Sequence, residues 1–192
     1  MSQRTLLVLG AGGHGKAVAE AALLSGEWQR VCFVDDRWPA LQACLQLPVV
    51  GNLQGLGAVA ADAAIAAVGN NALRQQWSAL IRASGLELAT VIHPRACVSP
   101  TAIVGVGSVI MAQAVVGVDV QLGEGVVVNA GAVVDHDACL GAYAHLGVGV
   151  SLAGGVQVGA HAWLQAGCSA GYGVVVADAV VCGPGESLSA GA

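Results

Sequence analysis

From Ile92 onward an apolar side chain returns at every sixth residue, with none skipped or inserted: Ile92, Val98, Val104, Ile110, Val116, Leu122 and so on to Ala170, Val176 and Cys182. Four residues after each stands a small or β-branched one, from Ala96 and Ala102 to Val174 and Val180, until Glu186 breaks the series. A helix repeats at about 3.6 residues and a strand at about 2, so a period of six fits only short strands cut by turns at fixed offsets. Glycine is dense in two further registers, one from Gly105 to Gly183 and one from Gly107 to Gly185. Both are expected to supply the positive φ that corners need. The pattern predicts a parallel β-coil over residues 92–192, each rung stacked on the last. Alternating large and small inward residues fill such a narrow core, which accounts for the scarcity of Phe and Tyr there.

Residues 1–91 follow other rules. Thr5–Leu9 reads as a buried strand, and the run Gly10-Ala11-Gly12-Gly13-His14-Gly15-Lys16 follows at once, leading into a helix over Ala17–Leu24. Strand, glycine turn and helix together form a place where backbone N–H groups and a helix N-terminus meet an anion; the plainer reading is a tight turn without a ligand. A second strand, Val31–Val34, ends at Asp35-Asp36, where an acidic side chain either accepts hydrogen bonds from a nucleotide or is simply solvated. Leu53–Val59 reads as a short helix. A third strand, Ala63–Val68, ends at Gly69-Asn70-Asn71, and a helix over Ala72–Ser84 shows Leu73, Trp77, Leu80 and Ile81 on one face, with Asn70 or Asn71 as its cap. The expected unit is a small α/β domain of three or four parallel strands, with the Gly10–Gly15 turn, Asp35, Asp36, Gly69 and Asn70 at the carboxyl edge. Its size suits a nucleotide-linked small molecule better than a dinucleotide.

Bulk composition excludes several classes. No apolar run reaches the roughly 20 residues that span a bilayer, and no basic stretch precedes an apolar segment with a cleavage site, so neither a membrane nor a secretory signal is expected. Six scattered cysteines read as reduced core residues of a cytoplasmic protein. Beyond residue 91 one basic residue, Arg95, faces six acidic ones, a balance that repels a phosphate backbone and argues against nucleic acid.

Ionisable side chains are rare in the coil. Asp135-His136-Asp137 is their densest cluster. A histidine beside a carboxylate is a candidate general base, since the carboxylate fixes its tautomer and raises its basicity; either Asp135 or Asp137 fits that part, and a solvated turn is the plain alternative. His145 falls on another side of the coil. Trp163 lies one rung above His145, stacking on a cofactor or covering a subunit interface. His136, Asp137 and His145 have metal-binding chemistry but no recognised ligand spacing, so no metal is expected.

The Gly10–Lys16 opening, Asp35-Asp36, Val68-Gly69-Asn70-Asn71 with Arg74, Ile92-His93-Pro94, and the hexads carrying Val134-Asp135-His136-Asp137 resemble the hexapeptide-repeat acyltransferases. The closest likeness is to the group containing sialic-acid O-acetyltransferases and UDP-4-amino-sugar N-acetyltransferases. It covers almost the whole chain. The resemblance implies a small Rossmann-like α/β domain over 1–91 and a left-handed β-helix over 92–192, assembled as a homotrimer. It implies acetyl-CoA as donor, with His145 lining its pocket and Trp163, Gly147 and Gly167 as the further cofactor-binding candidates, and a UDP-linked amino sugar near Gly13, His14, Asp35 and Asp36, with Gly12, Gly69 and Asn70 as further candidates at that edge. It gives His136 the role of base and Asp137 that of its partner, with coil backbone N–H groups on the acetyl carbonyl. The chain departs from the family where relatives continue into a basic segment: here Gly183-Pro184-Gly185-Glu186 leads to a small-residue tail, which removes cations from the CoA phosphates. It also carries aspartate, with its short arm, beside the base. Three readings follow: N-acetylation of a nucleotide-linked amino sugar in bacterial glycan biosynthesis, O-acetylation of sialic acid on the same fold, and a trimeric binding protein without catalysis.

Overall fold

The computed structural model describes residues 4–189, so the last residues of the small-residue tail fall outside it. The chain forms two compact units, Met1–Ile92 and His93–Ala192.

The first unit is built on β1 (Thr5–Leu9), α1 (Gly13–Ser25), β2 (Arg30–Val34), β3 (Ala43–Cys44), β4 (Leu47–Gly51), β5 (Ala63–Ala66), α2 (Asn71–Ala83) and β6 (Glu87–Leu88). The sheet order is β3-β4-β2-β1-β5-β6, parallel throughout except for the β3–β4 hairpin. It therefore has more strands than three or four. Pro48–Gly51, which reads in the sequence as an edge strand or a loop, is part of β4, and the strand read over Leu86–Val91 is shortened to β6 at Glu87–Leu88, while the two-residue β3 has no apolar run to announce it. Leu6, Leu7, Val8, Phe33, Val34 and Ile65 in the central strands are fully buried, as expected of strands covered on both faces.

Two helices differ from the expectation. The first begins at Gly13, inside the glycine run, and not at Ala17; the poor helix propensity of its glycines hides that opening turn from the sequence. The second buries Arg74, Ser78 and Ile81, while Leu80 is 45% exposed. Polar side chains are tolerated on that face because the backbone satisfies them: Ser78 Oγ donates to Arg74 O at 2.9 Å and Arg74 Nη1 donates to Val68 O at 3.2 Å.

The second unit is the predicted coil. Two-residue strands stack eighteen residues apart on three faces. One face carries Val109–Ile110, Val127–Val128, His145–Leu146, Trp163–Leu164 and Val181–Cys182; the next runs from Cys97–Val98 to Ser187–Leu188, and the third from Ile103–Val104 to Val175–Val176. The second residue of each strand points inward, and Leu122, Val128, Val134, Leu140, Leu146 and Leu152 form a continuous core with the small residues Ala132, Ala138, Ala144 and Ala162 between them. The first points outward, which exposes Cys97 and half-exposes Cys139; both leave the expected set of core cysteines for that reason.

The two glycine registers do different jobs. Only one has positive φ: every sixth residue from Gly107 to Gly185 is left-handed, whether glycine or not, including Gln113, Asp119, Asp137, Tyr143, His161 and Ala179. The other register, containing Gly105, Gly123, Gly141 and Gly159, is glycine because the next rung presses on it; a Cβ at Gly141 would lie 2.4 Å from Ala160 N. Glu186 is exposed and its carboxylate caps the final turn, accepting from Gly183 N–H at 2.8 Å. Among the described residues no helix is long and apolar enough to cross a membrane.

Candidate active site

The corner between the second and third faces of the coil carries Asp135, His136 and Asp137. Val134 points into the core, so the next residues must turn outward, and His136 stands half out in solvent. The carboxylate that meets the ring is Asp137: Nδ1–H donates to Asp137 Oδ2 at 2.7 Å. The short arm of aspartate therefore reaches. Asp137 sits at φ 60°, a conformation that Asp tolerates better than most side chains. Asp135 does something else. Its Oδ1 accepts the His136 backbone N–H at 2.8 Å, and its Oδ2 is 3.9 Å from Nε2.

This arrangement fixes the tautomer. A carboxylate only accepts, so Nδ1 holds the proton and neutral His136 presents a lone pair at Nε2. The Asp137 hydrogen bond, followed by the charge of Asp135, raises the His136 pKa above its ordinary value. The ring lies against Gly154, one rung on, where a Cβ would come within 2.6 Å of Cε1 and Nε2. Gly154 follows Ala153, which lacks the side-chain acceptor that Asp135 provides for His136, and no protein acceptor is found for its N–H among the described hydrogen bonds. Sequence reasoning missed Gly154. The signal was its spacing, eighteen residues after His136 and therefore directly above it.

His145 and Trp163 are elsewhere. They are paired neighbours on the first face, with rings stacked at 5.8 Å and His145 buried. Gly147 and Gly167 flank the corner between the first and second faces. Gly147 is buried, and a Cβ there would lie 2.7 Å from Ala166 N. Within one chain these four residues do not meet His136. Tyr143 and His161 stack at 5.5 Å at the remaining corner, where the Tyr143 hydroxyl donates to Glu124. Among the described residues no group of three or more His, Cys, Asp or Glu is placed to hold a metal ion.

In the first unit the carboxyl ends of β1, β2 and β5 bring the expected residues to one edge. Gly15 packs so closely that a Cβ would lie 1.8 Å from Gly10 O, whereas Gly12 and Gly13 border open space. Gly12 is the N-cap of α1 and supplies no side-chain cap, so the helix offers its amides outward. His14 is half-buried in the first turn. Asp35 accepts Ala11 N–H at 2.8 Å and is gripped by Arg37, chiefly because of which its carboxyl is held well below the ordinary range. Asp36 accepts Leu53 N–H at 3.1 Å. Asn70 caps α2, accepting Leu73 N–H at 2.9 Å, and Gly69 O lies 3.4 Å from Arg74 Nη1.

Known proteins share this architecture. Residues 5–81 match the PglD N-terminal domain. The acetyltransferase domain of PglB from Neisseria gonorrhoeae, solved with acetyl coenzyme A, is 38% identical, with 98% of this chain and 94% of that one covered at a TM-score of 0.92. PerB from Caulobacter crescentus, solved with CoA and GDP-perosamine, is 36% identical over 97% of this chain and 91% of its own, at a TM-score of 0.89. UDP-N-acetylbacillosamine N-acetyltransferase of Bacillus subtilis is 29% identical over 114 residues, and the match spans about half the length of that curated relative, 52%. The coil is thus the left-handed β-helix of hexapeptide-repeat proteins. The chain belongs to the acetyl-CoA-dependent sugar N-acetyltransferases of the hexapeptide-repeat group.

Proposed function

We propose that the protein transfers the acetyl group of acetyl-CoA to the amine of a nucleotide-linked amino sugar, with UDP as the first nucleotide to test. The observation that carries this reading is the His136 corner: an exposed imidazole, its Nδ1 held by Asp137 at 2.7 Å, its Nε2 lying against the Gly154 backbone. His136 is the general base. The amine nitrogen bonds to the thioester carbonyl carbon, and Nε2 takes the proton that the nitrogen then loses. The Gly154 N–H donates to the carbonyl oxygen as it becomes an oxyanion. As the C–S bond breaks, the imidazolium returns its proton to the departing thiolate. Asp137 keeps the ring in the tautomer that begins this cycle. An acetyl carbonyl fits here because Gly154, lacking a side chain, lets the base lie directly against its backbone, and its N–H has no protein acceptor among the described hydrogen bonds.

The first unit holds the nucleotide at the Gly12–Gly13 turn with Asp35 and Asp36 at the same edge. The coil leaves apolar side chains uncovered, among them Val118 at 54%, Val148 at 53%, Val175 at 70% and Val181 at 58% exposure, which a partner copy can cover, and the assembly in this reading is a homotrimer. His145 and Trp163 contribute to the donor site through that assembly, since they stand away from His136 in their own chain. The setting is the cytoplasm, where acetyl-CoA and nucleotide sugars are made.

The test is an acceptor panel of UDP- and GDP-linked amino sugars and sialic acids with acetyl-CoA, read by mass. Acetylation of an amine on a nucleotide sugar is the expected result. Acetylation of a sialic-acid hydroxyl instead, or no binding of acetyl-CoA at millimolar concentration, would overturn it. Light scattering on the same preparation gives the subunit number.

A further inference from the structure

Arg37 lies just beyond β2, in the turn that carries Asp35 and Asp36. Its side chain is 59% exposed and grips Asp35 in a two-pronged pair, Nε to Oδ1 at 2.7 Å and Nη2 to Oδ2 at 2.8 Å. The same Oδ2 accepts the Ala11 N–H at 2.8 Å. The guanidinium is therefore two hydrogen bonds from the backbone of the glycine turn, immediately before the uncapped start of α1. Gly12 and Gly13 leave open space there.

Folding gives a weak reason for this pair, since exposed ion pairs contribute little. Electrostatics gives a better one. Asp35 and Asp36 place two carboxylates at the edge where an anionic nucleotide has to arrive. Arg37 offsets one of them. A guanidinium also has more N–H donors than Asp35 takes, and its planar fork matches phosphate oxygens.

We infer that Arg37 binds the diphosphate of the acceptor nucleotide, held ready by Asp35 beside the open glycine turn. This rests on the first unit being the nucleotide-binding part. Asp35 then has a positioning role: it ties Arg37 to Ala11 and sets where the positive charge sits.

The experiment is calorimetric titration of the full-length protein with UDP and uridine, repeated with GDP and guanosine. The variants are Arg37→Ala, Arg37→Lys and, as a control of equal charge at the opposite end of β2, Arg30→Ala. Arg37→Ala is expected to weaken nucleoside diphosphate binding about 10–100-fold, the loss of charge-assisted hydrogen bonds, and to leave nucleoside binding unchanged. Arg37→Lys should fall between, and Arg30→Ala should match the parent. If the parent binds a diphosphate and Arg37→Ala binds it equally or more tightly, the inference fails while the nucleotide reading stands. Equal losses for nucleoside and diphosphate would also overturn it, by assigning Arg37 to loop structure. A parent that binds no nucleotide at all would remove the reading on which the inference rests.

Discussion

The two units bury apolar side chains under different rules. In the first, four glycines within six residues do separate jobs: Gly10 has a left-handed φ, Gly15 admits a carbonyl, and Gly12 and Gly13 leave space. Nothing but the fold tells them apart. In the coil, position alone decides. Every sixth residue from Gly107 to Gly185 is left-handed, and in the register two residues earlier Gly105, Gly123, Gly141, Gly147 and Gly159 are pressed by the next rung. A strict repeat makes its exceptions informative. Where glycine is the cheap choice and the chain has Asp137, Tyr143 or His161 instead, a side chain is needed.

His136 tests that contrast most severely. It is exposed and, apart from the Gly154 backbone it lies against, its side chain meets only the two flanking carboxylates, so His136→Ala should leave the melting temperature within a degree or two while turnover falls by roughly 10²–10⁴. A variant that keeps its rate would return the corner to an ordinary solvated turn. Next in size is the contrast between glycine registers. Gly141→Ala forces a Cβ against Ala160 backbone and should cost about 1–3 kcal/mol or more. Gly131→Ala meets nothing within 4 Å but keeps φ +66°, and should cost only about 1 kcal/mol. Denaturant midpoints measure both. Equal losses would mean that backbone conformation, not rung contact, governs the two registers alike.

How much could be read in advance follows from the same difference. The coil and its inward residues were legible, because hexads repeat without interruption and each residue's direction follows from its number. The His136 corner was legible as a cluster of rare ionisable residues. The choice between Asp135 and Asp137 was not, since it depends on which carboxylate turns back to the backbone. Gly154 was hidden because a glycine in a glycine-rich coil attracts no notice until the rung below is placed under it. In the first unit, the two-residue β3 is too short to show a period, and α2 turned a face bearing Arg74 and Ser78 inward because backbone carbonyls were there to accept from them. Arg37 belongs to no periodic segment of the sequence; only the fold shows that it turns back onto Asp35.

Asp137 lets the backbone and the chemistry be separated at one residue. Replacing it by glycine relieves the left-handed strain and should raise stability by roughly 0.5–1 kcal/mol, while turnover falls because the ring loses its anchor. Stability and rate moving down together would show that the side chain supports the fold instead.

Asp137→Asn gives a smaller effect of definite sign. The Asp137 hydrogen bond is the largest cause of the raised His136 pKa. A base works when neutral, so kcat/KM of the parent should rise with pH through a value above the ordinary 6.5 of histidine and level off beyond it. Asparagine removes the negative charge, the imidazolium loses its main support, and the pKa falls back toward 6.5. The rising limb should therefore move to lower pH. Its plateau should also drop, because an amide does not hold Nδ1–H as a carboxylate does. A lower plateau with an unmoved limb would mean that Asp137 orients the ring without setting its charge, leaving Asp135 as the group that tunes the base.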